Sequence, residues 1–149
     1  MSALNRHASV IYCDDIRYEI GGKVTYVGTY GDAMFLKEFP ATIPKLWISI
    51  RVVTPSQEPF KEIRVAVFQD DCLIAETTAS PDPTQPLPTP TSEEVIHAQT
   101  GTFVYCISPL VLEHECIIRV RVFEDDTEVI RGNALHIKQA TPETVFPPS

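Results

Sequence analysis

Three stretches of this chain alternate apolar and polar residues with a period of two, and that period limits the fold more than any other feature. Residues 46–53 read LWISIRVV, with Leu46, Ile48, Ile50 and Val52 in one phase. Residues 63–68 read IRVAVF, with Ile63, Val65 and Val67 in phase, and residues 118–123 read IRVRVF, with Ile118, Val120 and Val122 in phase. Successive side chains of an extended strand point to opposite faces, whereas a helix would return its apolar positions about every 3.6 residues. Each run therefore predicts a strand that buries one face, and the Val and Ile enrichment agrees.

Further strands are expected over residues 8–20, 23–30, 72–76, 102–107 and 128–138, giving about eight. Gly21-Gly22 between the first two predicts a tight hairpin, because a type I′ turn needs positive φ at both central residues. Pro109 interrupts an apolar run over 103–112 and predicts a bend or an edge position. Antiparallel strands with short turns and no repeated helix predict one antiparallel β-sandwich over residues 1–149. An internal echo supports this: IRVAVFQDD at 63–71 and IRVRVFEDD at 118–126 share seven of nine residues, 55 positions apart. Two copies do not make a solenoid, and they predict two equivalent hairpins, each turning at an Asp-Asp pair.

Two segments break the pattern. Residues 31–44 hold Met34, Phe35, Leu36 and Phe39 before Pro40 and Pro44, and predict a loop or short edge strand packed on the core. Residues 80–92 read SPDPTQPLPTPTS, whose five prolines exclude a central strand and favour an extended loop. Thr91-Ser92-Glu93-Glu94 then resembles a capping box opening a short helix through about Gln99. Residues 139–149 are expected to form a flexible tail.

The composition narrows the functions. The 149 residues carry a formal net charge of −8, so a direct nucleic-acid binder is not expected. The first twelve residues lack the apolar centre of a signal peptide, and no stretch approaches the ~18 apolar residues of a membrane span. A cytoplasmic protein with reduced thiols at Cys13, Cys72, Cys106 and Cys116 is therefore expected.

No motif of catalysis stands out. His7, His97, His114 and His136 are scattered, none in a nucleophile-elbow, zincin or cysteine-protease setting, and no phosphate-binding loop is present. An enzyme is not expected, nor a cofactor. His114, Cys106 and Cys116 lack the paired close spacing of a structural zinc site. Asp14-Asp15, Asp70-Asp71 and Asp125-Asp126 could feed a calcium site if their loops converged, although turn residues explain the second and third pairs. Pro83-Thr84-Gln85-Pro86 fits a loose PxxP pattern, read here as a surface loop.

The phase opposite the core is more informative. It carries Trp47 and Arg51 in one strand, Arg64 and Phe68 in a second, and Arg119, Arg121 and Phe123 in a third. Four of the seven arginines thus share a phase with three large aromatics in an acidic chain. Arginine and aromatics dominate interface energetics, and arginine stacks on rings and grips carboxylates or phosphates in bidentate fashion. The competing reading is that these strands lie apart, or that the arginines only cover their own aromatics and pair with Glu62, Glu124 or Glu128.

The series Cys13-Asp14-Asp15-Ile16-Arg17, Glu19, Gly21-Gly22-Lys23, Val27-Gly28-Thr29-Tyr30 and Ile43-Pro44-Lys45-Leu46 resembles a family of small uncharacterised bacterial and phage proteins, a domain of unknown function. The resemblance covers most of the first half. It implies a single immunoglobulin-like or C2-like sandwich and transfers no catalytic residue. The expected function is a non-catalytic protein-interaction or assembly module with a protein partner or a second copy of itself, as a homodimer. The alternatives are a calcium-assisted ligand or membrane-surface binder of C2-like type, and an acidic phage-encoded inhibitor of a host nucleic-acid-binding machine.

Overall fold

A computed structural model describes residues 6–80 and 98–144. The chain is all-β. Its strands are β1 (His7–Tyr18), β2 (Val24–Tyr30), β3 (Ala33–Leu36), β4 (Ala41–Ile43), β5 (Leu46–Pro55), β6 (Ile63–Gln69), β7 (Cys72–Ala79), β8 (Ala98–Ile107), β9 (Leu110–Leu112), β10 (Cys116–Glu124), β11 (Thr127–Arg131) and β12 (Leu135–Gln139). Twelve strands among the described residues replace the expected eight. Residues 31–44 contribute two, the stretch after Pro109 contributes one, and residues 128–138 divide into β11 and β12.

One sheet has the order β2-β1-β5-β8. The other has the order β3-β12-β10-β6-β7, with β11 pairing β10 beyond the end of β12. Strands β4 and β9 form a separate two-stranded ribbon. Pairing is antiparallel except between β12 and β3, which run parallel, a departure from the fully antiparallel expectation.

Alternation predicted the core correctly. Leu46, Ile48, Ile50 and Val52 of β5 join Ile63, Val65 and Val67 of β6 and Ile118, Val120 and Val122 of β10 in one buried cluster. Val10 and Tyr12 of β1, Leu110 and Leu112 of β9, and Leu135 and Ile137 of β12 join it, with Met34, Phe60, Cys116 and Ile130. Each such side chain contributes roughly 1.5–3 kcal/mol by leaving water.

Polar links tie the two sheets together around this core. The Tyr105 hydroxyl of β8 donates to Thr77 Oγ1 of β7 at 2.6 Å. Arg6 Nη1 donates to Glu124 Oε1 at 2.9 Å while its Nε donates to Thr54 Oγ1. The Lys61 amide donates to the other Glu124 oxygen at 3.0 Å. The Arg6 guanidinium beside Glu124 holds that carboxyl below its ordinary value.

The break between β11 and β12 has a steric cause. A Cβ at Gly132 would lie 2.7 Å from Val10 Cγ2 and 3.3 Å from Val120 Cβ, so the strand end passes too close to both sheets for any side chain. Asn133 then acts as a strand neighbour for β1. Its Oδ1 accepts the Val10 amide at 2.8 Å and its Nδ2 donates to the Val10 carbonyl at 2.9 Å. The Tyr12 hydroxyl donates to the Asn133 carbonyl, and burial pushes that phenol far above its ordinary range.

Other local expectations fare unevenly. Gly21 and Gly22 both have positive φ, but the loop is one residue wider than a two-residue turn, because Glu19 and Lys23 close it around Ile20 as well. Ala98 and Gln99 are strand residues opposite Pro55 and Thr54, so no helix reaches Gln99. The rest of that helix, and the proline-rich stretch from Pro81, lie outside the described residues. At the other end, the Ala140 amide donates to Leu36 O and Gln139 Nε2 donates to Lys37 O, which holds the segment after β12 against β3.

Candidate functional site

The sequence echo becomes a geometric element. Strands β6 and β10 are antiparallel neighbours, with Phe68 opposite Arg119, Ala66 opposite Arg121 and Arg64 opposite Phe123. The 55-residue offset maps Ala66 onto Arg121, and these two face each other. A local two-fold axis therefore passes between them and relates hairpin β6–β7 to hairpin β10–β11. Both hairpins turn on an Asp-Asp pair, between Gln69 and Cys72 and between Glu124 and Thr127. Both carry a β-bulge at the same place, with Ile74 the extra residue in one and Val129 in the other.

This arrangement brings together five of the seven side chains expected to form one face: Arg64, Phe68, Arg119, Arg121 and Phe123. They lie on the side of the six-stranded sheet away from the core. Trp47 and Arg51 do not join them. Both sit on β5 in the other sheet, Trp47 between Cys13 and Cys106, and Arg51 between Ser9 and Thr102. The shared phase was real, but it assigned each residue only to a face of its own sheet. Trp47 is half-buried and its indole Nε1 has no hydrogen-bond partner among the described residues.

The rings on the β6–β10 face are covered by guanidiniums. Arg64 lies over the Phe123 ring at 4.2 Å, and Arg121 lies over the Phe68 ring at 5.6 Å. Stacking leaves the guanidinium edge, with its N–H donors, free to meet a carboxylate. Arg64 Nη1 is 3.2 Å from Glu76 Oε2. Arg121 Nε and Arg131 Nε each lie 3.1 Å from a different oxygen of Glu128. Arg131 stands directly opposite Arg121, so two like charges that would repel share one anion. The Arg121 contact is close enough for an ion pair but is not aligned as a hydrogen bond.

The local symmetry would place Arg119 over Phe68, as Arg64 lies over Phe123. Arg121, standing where its counterpart strand has Ala66, takes that ring instead. Arg119 is left half-buried with no ion pair, ring contact or side-chain hydrogen bond among the described residues. Beyond it, His136 stands opposite Ile117 on the same face, and Lys138, also without an ion pair, stands opposite Phe35. Arg64, Arg119, Arg121, Arg131 and Lys138 thus share this face with Glu76 and Glu128, and Glu115 stands at its edge, one residue before β10, where its Oε2 accepts the Gln139 amide.

Glu76, Arg131 and Lys138 escaped the sequence reading, and Glu128 entered it only as a candidate pairing partner for the arginines of this face. Glu128 and Arg131 differ in parity, and only the bulge at Val129 puts both on one face. The duplicated Asp-Asp turn followed by a second short strand was the available signal.

The other candidate chemistry disperses. Because β6 and β10 are antiparallel, the Asp70-Asp71 and Asp125-Asp126 turns lie at opposite ends of the sheet and share no site. Asp14 instead accepts the Tyr30 hydroxyl at 2.6 Å, and Asp15 lies 3.5 Å from Lys45 Nζ. Among the described residues no group of three His, Cys, Asp or Glu side chains is disposed to hold a metal. A shallow, open depression of about 530 Å³ gathers Asp70, Asp71, Cys72, Glu113 and His114 without converging them. Burial pushes the Cys13 and Cys116 thiols up, away from thiolate reactivity. His97 lies outside the described residues. No described helix is long and apolar enough to cross a membrane.

The molecule is therefore an all-β protein with an arginine-rich, ring-stacked sheet face in an acidic chain. It belongs to a family of unknown function (DUF6941), whose model matches residues 8–137. That fits the expectation of an uncharacterised domain. No curated protein matches the chain.

Proposed function

We propose that this chain is a non-catalytic protein-interaction or assembly module, a β-sandwich of immunoglobulin-like or C2-like kind that meets its partner through the outward face of the six-stranded sheet. The sandwich reading rests on the single core shared by both sheets and on the Tyr105–Thr77, Arg6–Glu124 and Asn133–Val10 links across it. The interaction reading rests on one observation above the rest, the half-buried Arg119 that the local symmetry leaves without a partner. A half-buried guanidinium whose donors meet no protein acceptor is available to an incoming anionic group, and arginine is enriched among interface anchors.

The test is capture of partners from a lysate of the source organism, read by mass spectrometry, with wild type beside Arg119→Glu. The variant should keep the wild-type melting temperature within a few degrees and lose the partner. Mass-resolved chromatography of both proteins tells self-association from a second protein. A partner held equally by both proteins would remove this face from consideration.

A further inference from the structure

The charge inventory of the β6–β10 face says what kind of partner it fits. Arg64 is matched by Glu76, one to one. Arg121 and Arg131 share Glu128, two to one. Arg119 and Lys138 make no ion pair among the described residues. With Glu115 set aside at the edge, where it accepts the Gln139 amide, the cations exceed the anions they pair with by three on a patch four strands wide, roughly 15–20 Å across. The chain as a whole has the opposite sign, with 20 Asp and Glu against 12 Lys and Arg and a formal net charge of −8.

From this complementarity we propose that the occupant of the face is a short acidic segment of a protein, whose carboxylates seat on Arg119 and on the edges of the stacked Arg64 and Arg121 guanidiniums. This rests on the interaction reading above and names the chemistry of the partner. Two observations favour a carboxylate-bearing segment over a nucleic acid. The donors are guanidiniums, which meet a carboxylate bidentately, and two of them, Arg64 and Arg121, lie stacked over rings. The rings that would have to stack on bases are covered, Phe123 by Arg64 at 4.2 Å and Phe68 by Arg121 at 5.6 Å. A long polyanion would also meet the net negative charge of the chain, −8, where a segment matched to the patch would stop.

Glu128 has a defined part in this arrangement. Its two oxygens are the internal anion that partner carboxylates must share or displace from Arg121 and Arg131. Removing its charge while keeping its shape should therefore strengthen binding, whereas a purely structural Glu128 would leave binding unchanged.

The experiment is fluorescence anisotropy with the full chain and two probes of equal charge, a labelled glutamate homopeptide and a labelled single-stranded oligonucleotide. The homopeptide should bind, weaken about tenfold in Arg119→Glu, and tighten about threefold in Glu128→Gln. Its affinity should fall as salt rises from about 0.05 to 0.2 M, because that shortens the screening length toward contact distances. Arg119→Gln, which removes the charge without reversing it, should fall between wild type and Arg119→Glu. That ordering keeps the result readable if the charge reversal perturbs folding. Oligonucleotide binding as tight as peptide binding would overturn the proposal, as would peptide affinity indifferent to Arg119, or no peptide binding at all. If lysate capture still depends on Arg119 in those cases, only the acidic-segment inference fails. If capture is indifferent to Arg119, the interaction reading fails with it.

Discussion

Hairpins β6–β7 and β10–β11 share a strand sequence, a two-residue Asp-Asp turn and a bulge, yet their surroundings have diverged. They differ within the echo at only two positions. Where β6 has Gln69, β10 has Glu124. Gln69 Nε2 donates to Val111 O and makes no ion pair. Glu124 binds Arg6 and the Lys61 amide, anchoring the six-stranded sheet to the segment before β1 and to the loop after β5. Where β6 has Ala66, β10 has Arg121, which takes the Phe68 ring and releases Arg119. The shared part of the echo builds the sheet and sets Arg64 and Arg119 on its face, and the two differences add the cross-link at Glu124 and the unmirrored Arg121.

The comparison can be broken at its foundation first. Val67 and Val122 are equivalent and fully buried. Val67→Ala and Val122→Ala should each cost about 2–3 kcal/mol in denaturant unfolding. If the hairpins are structurally equivalent the two costs should agree within about 0.5 kcal/mol, inside the spread such sites show.

The next test separates the hairpins. Glu124→Ala should cost about 2 kcal/mol, because it removes a charged hydrogen-bond acceptor and strands Arg6, whereas Gln69→Ala should cost under about 1 kcal/mol. The pH dependence follows from the depressed Glu124 carboxyl. Its folded value lies below its unfolded one, so its stabilisation is fully present above the ordinary value of 4.5 and is lost as pH falls through the folded value. Wild type should therefore lose its advantage over Glu124→Gln as melting temperatures are followed into acid.

Smaller effects sharpen the contrast at the turns. Asp125 and Asp126 both have positive φ, at 52° and 62°, whereas in the first turn only Asp70 does, at 53°. Asp126→Gly should thus gain about 0.5 kcal/mol, and Asp71→Gly should lose a similar amount. Smallest of all, Arg121→Ala should change stability by less than about 0.5 kcal/mol, since its pair with Glu128 is about one-third exposed on each side.

Much of this architecture was legible in the sequence, and the reason is local. A period of two is fixed by backbone geometry, so the core phases of β5, β6 and β10 could be read residue by residue. The Asp-Asp turns could be read for the same reason. The site was legible only in part, because phase does not say which strands are neighbours. Trp47 and Arg51 matched the pattern and belong to the other sheet. Glu128 and Arg131 broke the pattern and belong to the face, since one bulge reverses parity. The division of residues 128–138 at Gly132 depended on how near Val10 and Val120 would come, a distance set by tertiary packing rather than by any local preference.

The two-fold relation between the hairpins also bears on orientation. The pairs Arg64–Phe123 and Phe68–Arg119 exchange places under the axis, so a ligand touching only those four side chains would fit equally well in either of two directions. Arg121 stands on the axis opposite Ala66, and nothing mirrors it. With Glu128 and Arg131 gathered on its side alone, that one residue turns a palindromic surface into one with a head and a tail.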